Sequence, residues 1–221
     1  MTKVKICGVC TAENALMAAR CGADLIGLNF YPKSPRYVTR AAGSAIAARL
    51  REQLGAACPT LVGVFVNASA DEVREIVEEV GLDYAQLSGD ESAEAVAALG
   101  GIAFKAIRPI DEEAALAEIR RLEAVFPHTA DAPSILLDAF NPKLYGGTGE
   151  TADFAIVGAV KRAVPRLMLA GGLTAENVAD RVRRIRPWGV DVASGVEAGT
   201  PGAKDESKAR AFIQAVRAAD A

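Results

Sequence analysis

The sequence contains a single histidine and few of the residues that usually build metal or redox sites. His128 stands alone, and the four cysteines are Cys7, Cys10, Cys21 and Cys58, all in the first third of the chain. Cys7 and Cys10 form one C-x-x-C pair, but no second pair and no pair of histidines completes a zinc ligand set. We therefore expect no metal, no cofactor and four free thiols, as in a reducing cytoplasm.

The chain also lacks an excess of charge of either sign and lacks a long apolar run. Lys plus Arg number 25 and Asp plus Glu number 28, which gives a net charge of −3. This balance, without a basic cluster, argues against a nucleic-acid partner. No apolar run approaches the roughly 18 residues of a membrane span, and the first strand follows without a signal-peptide core. We expect a cytoplasmic enzyme without a nucleic-acid or membrane partner.

What the sequence does contain is one pattern that repeats along the chain, a short aliphatic strand followed by a helix. The predicted strands span 4–8, 25–29, 60–66, 84–87, 103–107, 134–138, 166–170 and 190–193. Thr11, Ser69 and Thr174 are predicted helix N-caps, and Gly22 and Gly81 are predicted helix ends. Two further helices are predicted from about residues 153 and 204. No linker or change of composition divides the chain, so a single domain covering residues 1–221 is predicted.

Eight strand-and-helix units in about this length are typical of a closed (β/α)8 TIM barrel, an α/β fold. The alternative is an open doubly wound sheet. The absence of G-x-G-x-x-G after the first strand disfavours that alternative. In a barrel of parallel strands, the C-terminal ends of all strands surround one pocket, so residues at those ends are the candidates for function.

Two ionisable residues lie at predicted strand ends, Cys7 in the first strand and Asp138 in the sixth. A lone cysteine in a strand is more often a small core residue. A carboxylate that ends the apolar run 135–137 is costly to desolvate unless a partner or a function holds it. Asp138 is therefore a candidate catalytic residue, and the alternative is a carboxylate that caps a helix or fixes a loop.

Glycine-rich turns follow the seventh and eighth predicted strands, at Gly171-Gly172 and Ser194-Gly195. Their backbone N–H groups would lie where phosphates most often bind in TIM barrels, although glycine also permits tight turns without a ligand. The stretch 146–149, which includes Gly147, adds a third set of N–H groups, and it is not a P-loop because no Gly-Lys-Ser/Thr follows. These turns together predict a ligand that carries a phosphate.

Seven runs of the sequence are more specific than these general patterns. They are Val4–Gly8, Val62–Asn67, Leu136–Ala139, Gly146–Gly149, Leu169–Leu173, Gly189–Glu197 and Pro201–Asp205. In this order they resemble the phosphoribosylanthranilate isomerase family, from residue 3 to about residue 212. The resemblance implies an enzyme of tryptophan biosynthesis. Its reaction would be the Amadori rearrangement of N-(5-phosphoribosyl)anthranilate to 1-(2-carboxyphenylamino)-1-deoxyribulose 5-phosphate, without a cofactor.

The resemblance also implies roles for individual residues. Cys7 would be the general base and Asp138 the general acid. A thiol must be ionised to accept a proton, so we expect nearby positive charge to lower the pKa of Cys7. Arg36 matches the family's anthranilate-binding arginine, and its planar fork suits a benzoate carboxylate. Asp191 is expected either to contact the substrate or to pair with Lys5.

One residue departs from the family pattern, since Ser88 stands where a histidine is usual. A hydroxyl can form hydrogen bonds but carries no charge near neutral pH. Two other functions stay open, another phosphosugar isomerase on the same barrel and a catalytically silent phosphate-binding barrel. The histidine-pathway aminoaldose isomerase would be expected to use two aspartates, which Cys7 argues against. The expected partner is a small phosphosugar substrate, with a monomer and a homodimer both open.

Overall fold

Short runs of Val, Ile and Leu form the strands, and glycine or polar residues end most of them. The computed structural model describes residues 1–138 and 149–220. The strands are β1 (Lys3–Cys7), β2 (Leu25–Asn29), β3 (Thr60–Phe65), β4 (Tyr84–Leu87), β5 (Ala103–Ile107), β6 (Ile135–Asp138), β7 (Leu167–Ala170) and β8 (Gly189–Val192). All pairs of neighbouring strands are parallel, and β8 pairs with β1 to close a barrel.

Each strand is followed by a helix, and the helices pack against the outer face of the barrel. The helices are α1 (Ala12–Cys21), α2 (Arg40–Leu54), α3 (Ala70–Val80), α4 (Ala93–Ala97), α5 (Glu112–Leu122), α6 (Gly149–Ala163), α7 (Val178–Ile185) and α8 (Glu206–Ala219). The predicted (β/α)8 TIM barrel is therefore confirmed. None of the helices in the described ranges has the length and apolar character needed to cross a membrane.

Local capping sets several helix ends. The side chains of Thr11 and Ser69 accept hydrogen bonds from backbone N–H groups in the first turns of α1 and α3. Gly22 and Gly81 end the same helices in the left-handed conformation, with φ of 102° and 73°. These predicted ends are confirmed because a cap depends on only a few neighbouring residues.

Three helices begin at residues other than those predicted. The pattern predicts α7 from Thr174, but the Thr174 N–H donates to the Asn177 side chain in a turn, and α7 begins at Val178. The Asp205 side chain caps α8, which begins at Glu206 rather than at residue 204. α6 begins at Gly149 rather than at residue 153. Glycine has low helix propensity, so the sequence pattern placed this start too late.

The alternation of side chains along each strand separates two buried regions. Val4 and Ile6 belong to the large core between the barrel and its helices. Lys5 and Cys7 are on the opposite face of β1 and therefore point into the barrel. A smaller apolar cluster contains Leu25, Val62, Phe104, Ala106, Leu136, Met168 and Ala170. The barrel interior is thus apolar in one part and carries a buried lysine in another.

Gly27 in β2 makes room for the interior side chains of β1. In the strand register Cys7 pairs with Gly27. A Cβ at Gly27 would lie 2.8 Å from Cys7 Sγ and 3.2 Å from Lys5 Cε. A side chain at this position would therefore displace Cys7, so the close approach requires glycine.

Candidate active site

The parallel strands bring most of the sequence-predicted site residues to one end of the barrel. Cys7 is the last residue of β1 and Asp138 is the last residue of β6. Gly171-Gly172 follows β7, and Ser194-Gly195 begins a 3₁₀ turn after β8. Arg36 lies in the loop after β2. Gly147 lies outside the described residues.

A chain of buried polar side chains lies beneath this end of the barrel. Lys5 Nζ donates to Asp191 Oδ1 at 3.1 Å and to Gln86 Oε1 at 2.8 Å. Gln86 Nε2 in turn donates to Ser88 Oγ at 3.0 Å. The Lys5 side chain is 0% exposed and that of Asp191 is 10% exposed. Asp191 is thus the buried partner of Lys5, which is one of the two roles that the sequence left open.

Ser88 completes this chain at the position where the family usually has histidine. Its hydroxyl accepts from Gln86, and the residue is 7% exposed. A serine here joins a neutral hydrogen-bond chain and adds no positive charge beside Cys7. Among the strand residues, Lys5 therefore supplies the positive charge that lowers the pKa of the Cys7 thiol.

The electrostatics of Cys7 correct one expectation. Burial raises the pKa of the Cys7 thiol, the positive charges of Lys5 and Lys204 lower it, and Asp191 raises it. The net effect is a raised pKa, so the expected lowering is wrong. Desolvation of the thiolate outweighs the attraction of Lys5 because Asp191 already neutralises much of that charge. Lys5 itself stays protonated: burial opposes its charge, but Asp191 and Cys7 raise its pKa overall.

Asp138 has a partner that sequence reasoning missed. Arg108 Nε donates to Asp138 Oδ2 at 3.1 Å, and Arg108 Nη1 donates to the Ser88 carbonyl at 3.2 Å. Arg108 follows β5 by one residue, in the same phase as the interior residues Phe104 and Ala106. The alternation of side chains along β5 therefore indicated that Arg108 faces the site. The predicted strand ends one residue earlier, at Ile107, which packs in the outer core.

Arg36 lies against a second residue that the sequence reasoning did not single out. Its Nε donates to Glu197 Oε1 at 2.7 Å and its Nη2 donates to Glu197 Oε2 at 2.8 Å. Arg36 is thus a partly buried, paired side chain and not a solvated surface residue. Glu197 ends the run 189–197 that carried the family resemblance. Its position in that run, without an assigned role, was the feature of the sequence that could have identified it.

The two glycine-rich turns lie against each other. Gly171 and Gly172 have φ of 102° and 61°, in the left-handed region. A Cβ on Gly195 would overlap the carbonyl oxygen of Leu173, so the turn after β8 packs directly on the turn after β7. The Gly172 carbonyl accepts from Asn177 Nδ2 at 2.9 Å, which fixes the first turn. The two turns therefore form one continuous edge of the site.

The fold and these groups define a class of protein, a (β/α)8 barrel with ionisable side chains and glycine-rich turns at the carboxyl ends of its strands. Comparison with known proteins is more specific. The family model described as N-(5'phosphoribosyl)anthranilate (PRA) isomerase matches residues 4–215. This chain belongs to that family, and it is an isomerase of tryptophan biosynthesis, as its motifs predicted.

Individual relatives match over nearly their whole lengths. The N-(5'-phosphoribosyl)anthranilate isomerase of Roseiflexus castenholzii is 46% identical over 221 residues, which cover 98% of each chain. That of Myxococcus xanthus is 42% identical over 215 residues, which cover 97% of this chain and 96% of the relative. The match thus spans nearly the whole barrel.

Solved structures give the same result. The phosphoribosyl anthranilate isomerase of Thermotoga maritima has a TM-score of 0.83 and 34% identity, covering 99% of this chain and 100% of the other. A second structure, in complex with reduced 1-(o-carboxyphenylamino)-1-deoxyribulose 5-phosphate, has a TM-score of 0.82 and 31% identity over the same shares. A third contains monomers generated from the dimeric Thermotoga maritima enzyme; it has a TM-score of 0.80 and 31% identity and covers 98% of this chain and 99% of the other.

Proposed function

We propose that this chain catalyses the Amadori rearrangement of N-(5-phosphoribosyl)anthranilate, with Cys7 as the general base and Asp138 as the general acid. The observation that carries the proposal is the position of the two side chains, at the carboxyl ends of β1 and β6 around one opening of a closed barrel. Proton transfers from two sides of a bound sugar need such a pair.

The reaction requires two proton transfers at different atoms. Asp138 gives a proton to the furanose ring oxygen, the C1–O bond breaks, and the nitrogen lone pair forms a protonated imine with C1. Cys7 then removes the proton from C2, and the electron pair of that bond forms an enolamine. Transfer of a proton from Cys7 to C1 and return of the C2 hydroxyl proton to Asp138 complete the aminoketose and regenerate both groups. Both residues act as proton carriers, and no redox step is involved.

The raised pKa of Cys7 fits this sequence of events. Burial of the thiol outweighs the attraction of Lys5, so the pKa of Cys7 is raised and the protonated thiol is favoured before substrate binds. Once the ring has opened, the protonated imine places a positive charge next to C2. That charge favours the thiolate at the step in which the base is needed. Lys5 supports the same ionisation from the barrel side.

The remaining groups of the substrate match the other residues of the site. We propose that Arg36 binds the benzoate carboxylate, and that the turns Gly171-Gly172 and Ser194-Gly195 bind the phosphate. The joined glycine turns support the second assignment, because they bring backbone N–H groups together at the carboxyl ends of β7 and β8. Gly147 is proposed as a further phosphate contact. Asp191 is proposed to hold Lys5 and not to contact the substrate.

The test is a direct assay of substrate consumption. N-(5-phosphoribosyl)anthranilate fluoresces and its product does not, so emission should fall when the protein is added without metal or nucleotide. Emission that stays constant would favour a silent phosphate-binding barrel. Activity that disappears with a chelator and returns with a divalent ion would contradict the cofactor-free mechanism.

We also propose that the enzyme works in the cytoplasm on this small phosphosugar. The four cysteines are free, which is usual in a reducing compartment. Cell fractionation followed by immunoblotting would test the location, and recovery in a secreted or membrane fraction would contradict it.

A further inference from the structure

Glu197 is a buried carboxylate that no step of the reaction uses. Its side chain is 6% exposed. Oε1 accepts hydrogen bonds from Arg36 Nε at 2.7 Å, the Gly202 N–H at 2.8 Å and Lys204 Nζ at 2.9 Å. Oε2 accepts from Arg36 Nη2 at 2.8 Å. A buried carboxylate with four donors is a fixed point in the structure.

The backbone around Glu197 is fixed as well. Glu197 forms an isolated antiparallel bridge with Lys204, and the Ala198 N–H donates to the Ala203 carbonyl at 2.9 Å. Lys204 Nζ also donates to the Ala193 carbonyl at 3.1 Å, and Lys208 Nζ donates to the Glu197 carbonyl at 2.8 Å. The loop between β8 and α8 is therefore tied together on both sides of the carboxylate.

These donors keep Glu197 ionised. Burial opposes the charge of this carboxylate, but the hydrogen bonds from Arg36, the Gly202 N–H and Lys204 outweigh burial and lower the pKa of Glu197 to about 2. The same pair raises the pKa of Arg36, with the hydrogen bond to Glu197 as the main cause. Both partners are thus charged throughout the neutral range.

The pair uses only one edge of the Arg36 guanidinium. Glu197 takes Nε and Nη2, while Nη1 makes no hydrogen bond within residues 1–138 and 149–220. The second Nη2 hydrogen and one Nη1 hydrogen remain side by side and form the end edge of the fork, while the other Nη1 hydrogen points toward Cδ. The side-chain stem is also fixed, because Arg36 Cδ packs on Gly8, where a Cβ would overlap it.

We propose that Glu197 is a positioning residue for Arg36, which holds the side edge of the guanidinium so that the end edge receives the substrate's ring carboxylate. The inference rests on the proposed role of Arg36. Without Glu197, Lys204 and Arg36 would lose their shared anion, and the guanidinium could turn away from the substrate. By holding Arg36 in place, Glu197 sets selectivity for a carboxylated ring without contacting the ring.

The experiment compares two ligands by calorimetric titration. One is reduced 1-(o-carboxyphenylamino)-1-deoxyribulose 5-phosphate, and the other is the matching compound made from aniline, which lacks the ring carboxylate. The ratio of their dissociation constants measures carboxylate recognition alone, since phosphate and sugar contacts are shared. We expect the unmodified protein to prefer the carboxylated ligand by at least about 30-fold, as a charge-assisted pair implies.

Glu197→Gln keeps the size of the side chain and removes its charge. We expect the ratio to fall about tenfold or more, with the aniline compound bound within about threefold of the unmodified protein. Glu197→Asp should recover part of the preference. Arg36→Ala combined with Glu197→Gln should cost no more preference than Arg36→Ala alone, because both act on one contact. Glu206→Gln, the same change in the exposed pair with Arg210, is the matched control.

The outcomes separate this inference from the proposed function. If Glu197→Gln leaves the ratio of dissociation constants unchanged while Arg36→Ala removes the preference for the carboxylated ligand, only the positioning role is overturned. A ratio that Arg36→Ala leaves unchanged would overturn the proposed role of Arg36 itself. Equal weakening of both ligands would mean that Glu197 only stabilises the loop. If Glu197→Gln does not fold, Glu197→Asp gives the same comparison with the carboxylate moved back.

Discussion

Two ion pairs lie near Cys7, a buried one between strands and a partly buried one between loops. The strand pair is Lys5 with Asp191, and the loop pair is Arg36 with Glu197. Lys5 and Asp191 are paired positions in the register of β1 and β8. Arg36 and Glu197 are 161 residues apart in the sequence and lie outside the strands. The lysine of the strand pair is 0% exposed, whereas Arg36 is 22% exposed.

This difference separates two tasks of the site. The lysine of the strand pair is fully buried, so we expect the pair to influence the reaction through its field on Cys7. The loop pair keeps one edge of a guanidinium accessible, so it can bind a ligand group directly. The comparison predicts that changes in the strand pair alter the chemical step and stability. Changes in the loop pair should alter binding.

The largest effects are expected at the proposed proton-transfer groups. Cys7→Ser and Asp138→Asn should each lower kcat by about 10²–10⁴-fold, the range typical of general acid–base groups, with a much smaller effect on substrate binding. Steady-state kinetics with the fluorescent substrate measures this. Cys10→Ser is the control, since Cys10 Sγ donates to the Arg36 carbonyl at 3.4 Å and a hydroxyl can do the same.

The pH profile identifies the base. Because the pKa of Cys7 is raised, kcat/KM should increase with pH through the neutral range and into the alkaline range. This rising limb should vanish or move in a Cys7 variant and stay in Cys10→Ser. Equal losses at Cys7 and Cys10 would point to a function of the C-x-x-C pair instead. Full activity of Cys7→Ser would remove the proposed base.

Breaking the strand pair should have the next largest effect. Lys5→Met leaves Asp191 as a buried charge without its cation, and this should lower the free energy of unfolding by about 3–5 kcal/mol. Chemical denaturation measures the loss. Lys3→Met, in the partly exposed pair with Asp24, should cost less than about 1 kcal/mol. A similar loss in both variants would mean that burial does not distinguish the two pairs.

Acid should weaken the loop pair in a defined pH range. The pKa of Glu197 is about 2 in the folded protein, below the ordinary value of 4.5, so its stabilisation is complete above pH 4.5 and is lost as the pH falls toward 2. A shift of this size corresponds to about 3 kcal/mol. Glu197→Gln should flatten that part of the curve of unfolding free energy against pH. An unchanged curve would contradict the pairing.

The smallest of these effects is expected at Arg36, and it separates binding from chemistry. Arg36→Ala should lower kcat/KM, mostly through a higher KM. The corresponding loss of transition-state stabilisation is about 2–3 kcal/mol, the value of a charge-assisted bidentate contact. Kinetics over a range of substrate concentrations gives both constants. If kcat falls and KM does not, the loop pair acts on the chemical step and the distinction between the two pairs fails.

The sequence alone determined the order of the elements and placed each strand to within one residue. Strand β4 and strand β5 lie at the predicted residues, and the caps at Thr11 and Ser69 are as predicted. Each of these features depends on residues within about one turn or one strand, so local patterns suffice. Parallel closure then places Cys7 and Asp138 at the same end of the barrel without further information.

Only the tertiary structure decided which charged side chains pair and how strongly each ionisable group is desolvated. Arg108 reaches Asp138 across 30 residues, and Glu197 reaches Arg36 across 161. No local pattern encodes such contacts, because they depend on how loops from different strands meet. The raised pKa of Cys7 has the same origin. Positive charge beside it could be expected from Lys5, but the cost of burying a thiolate depends on the complete surroundings of the sulfur atom.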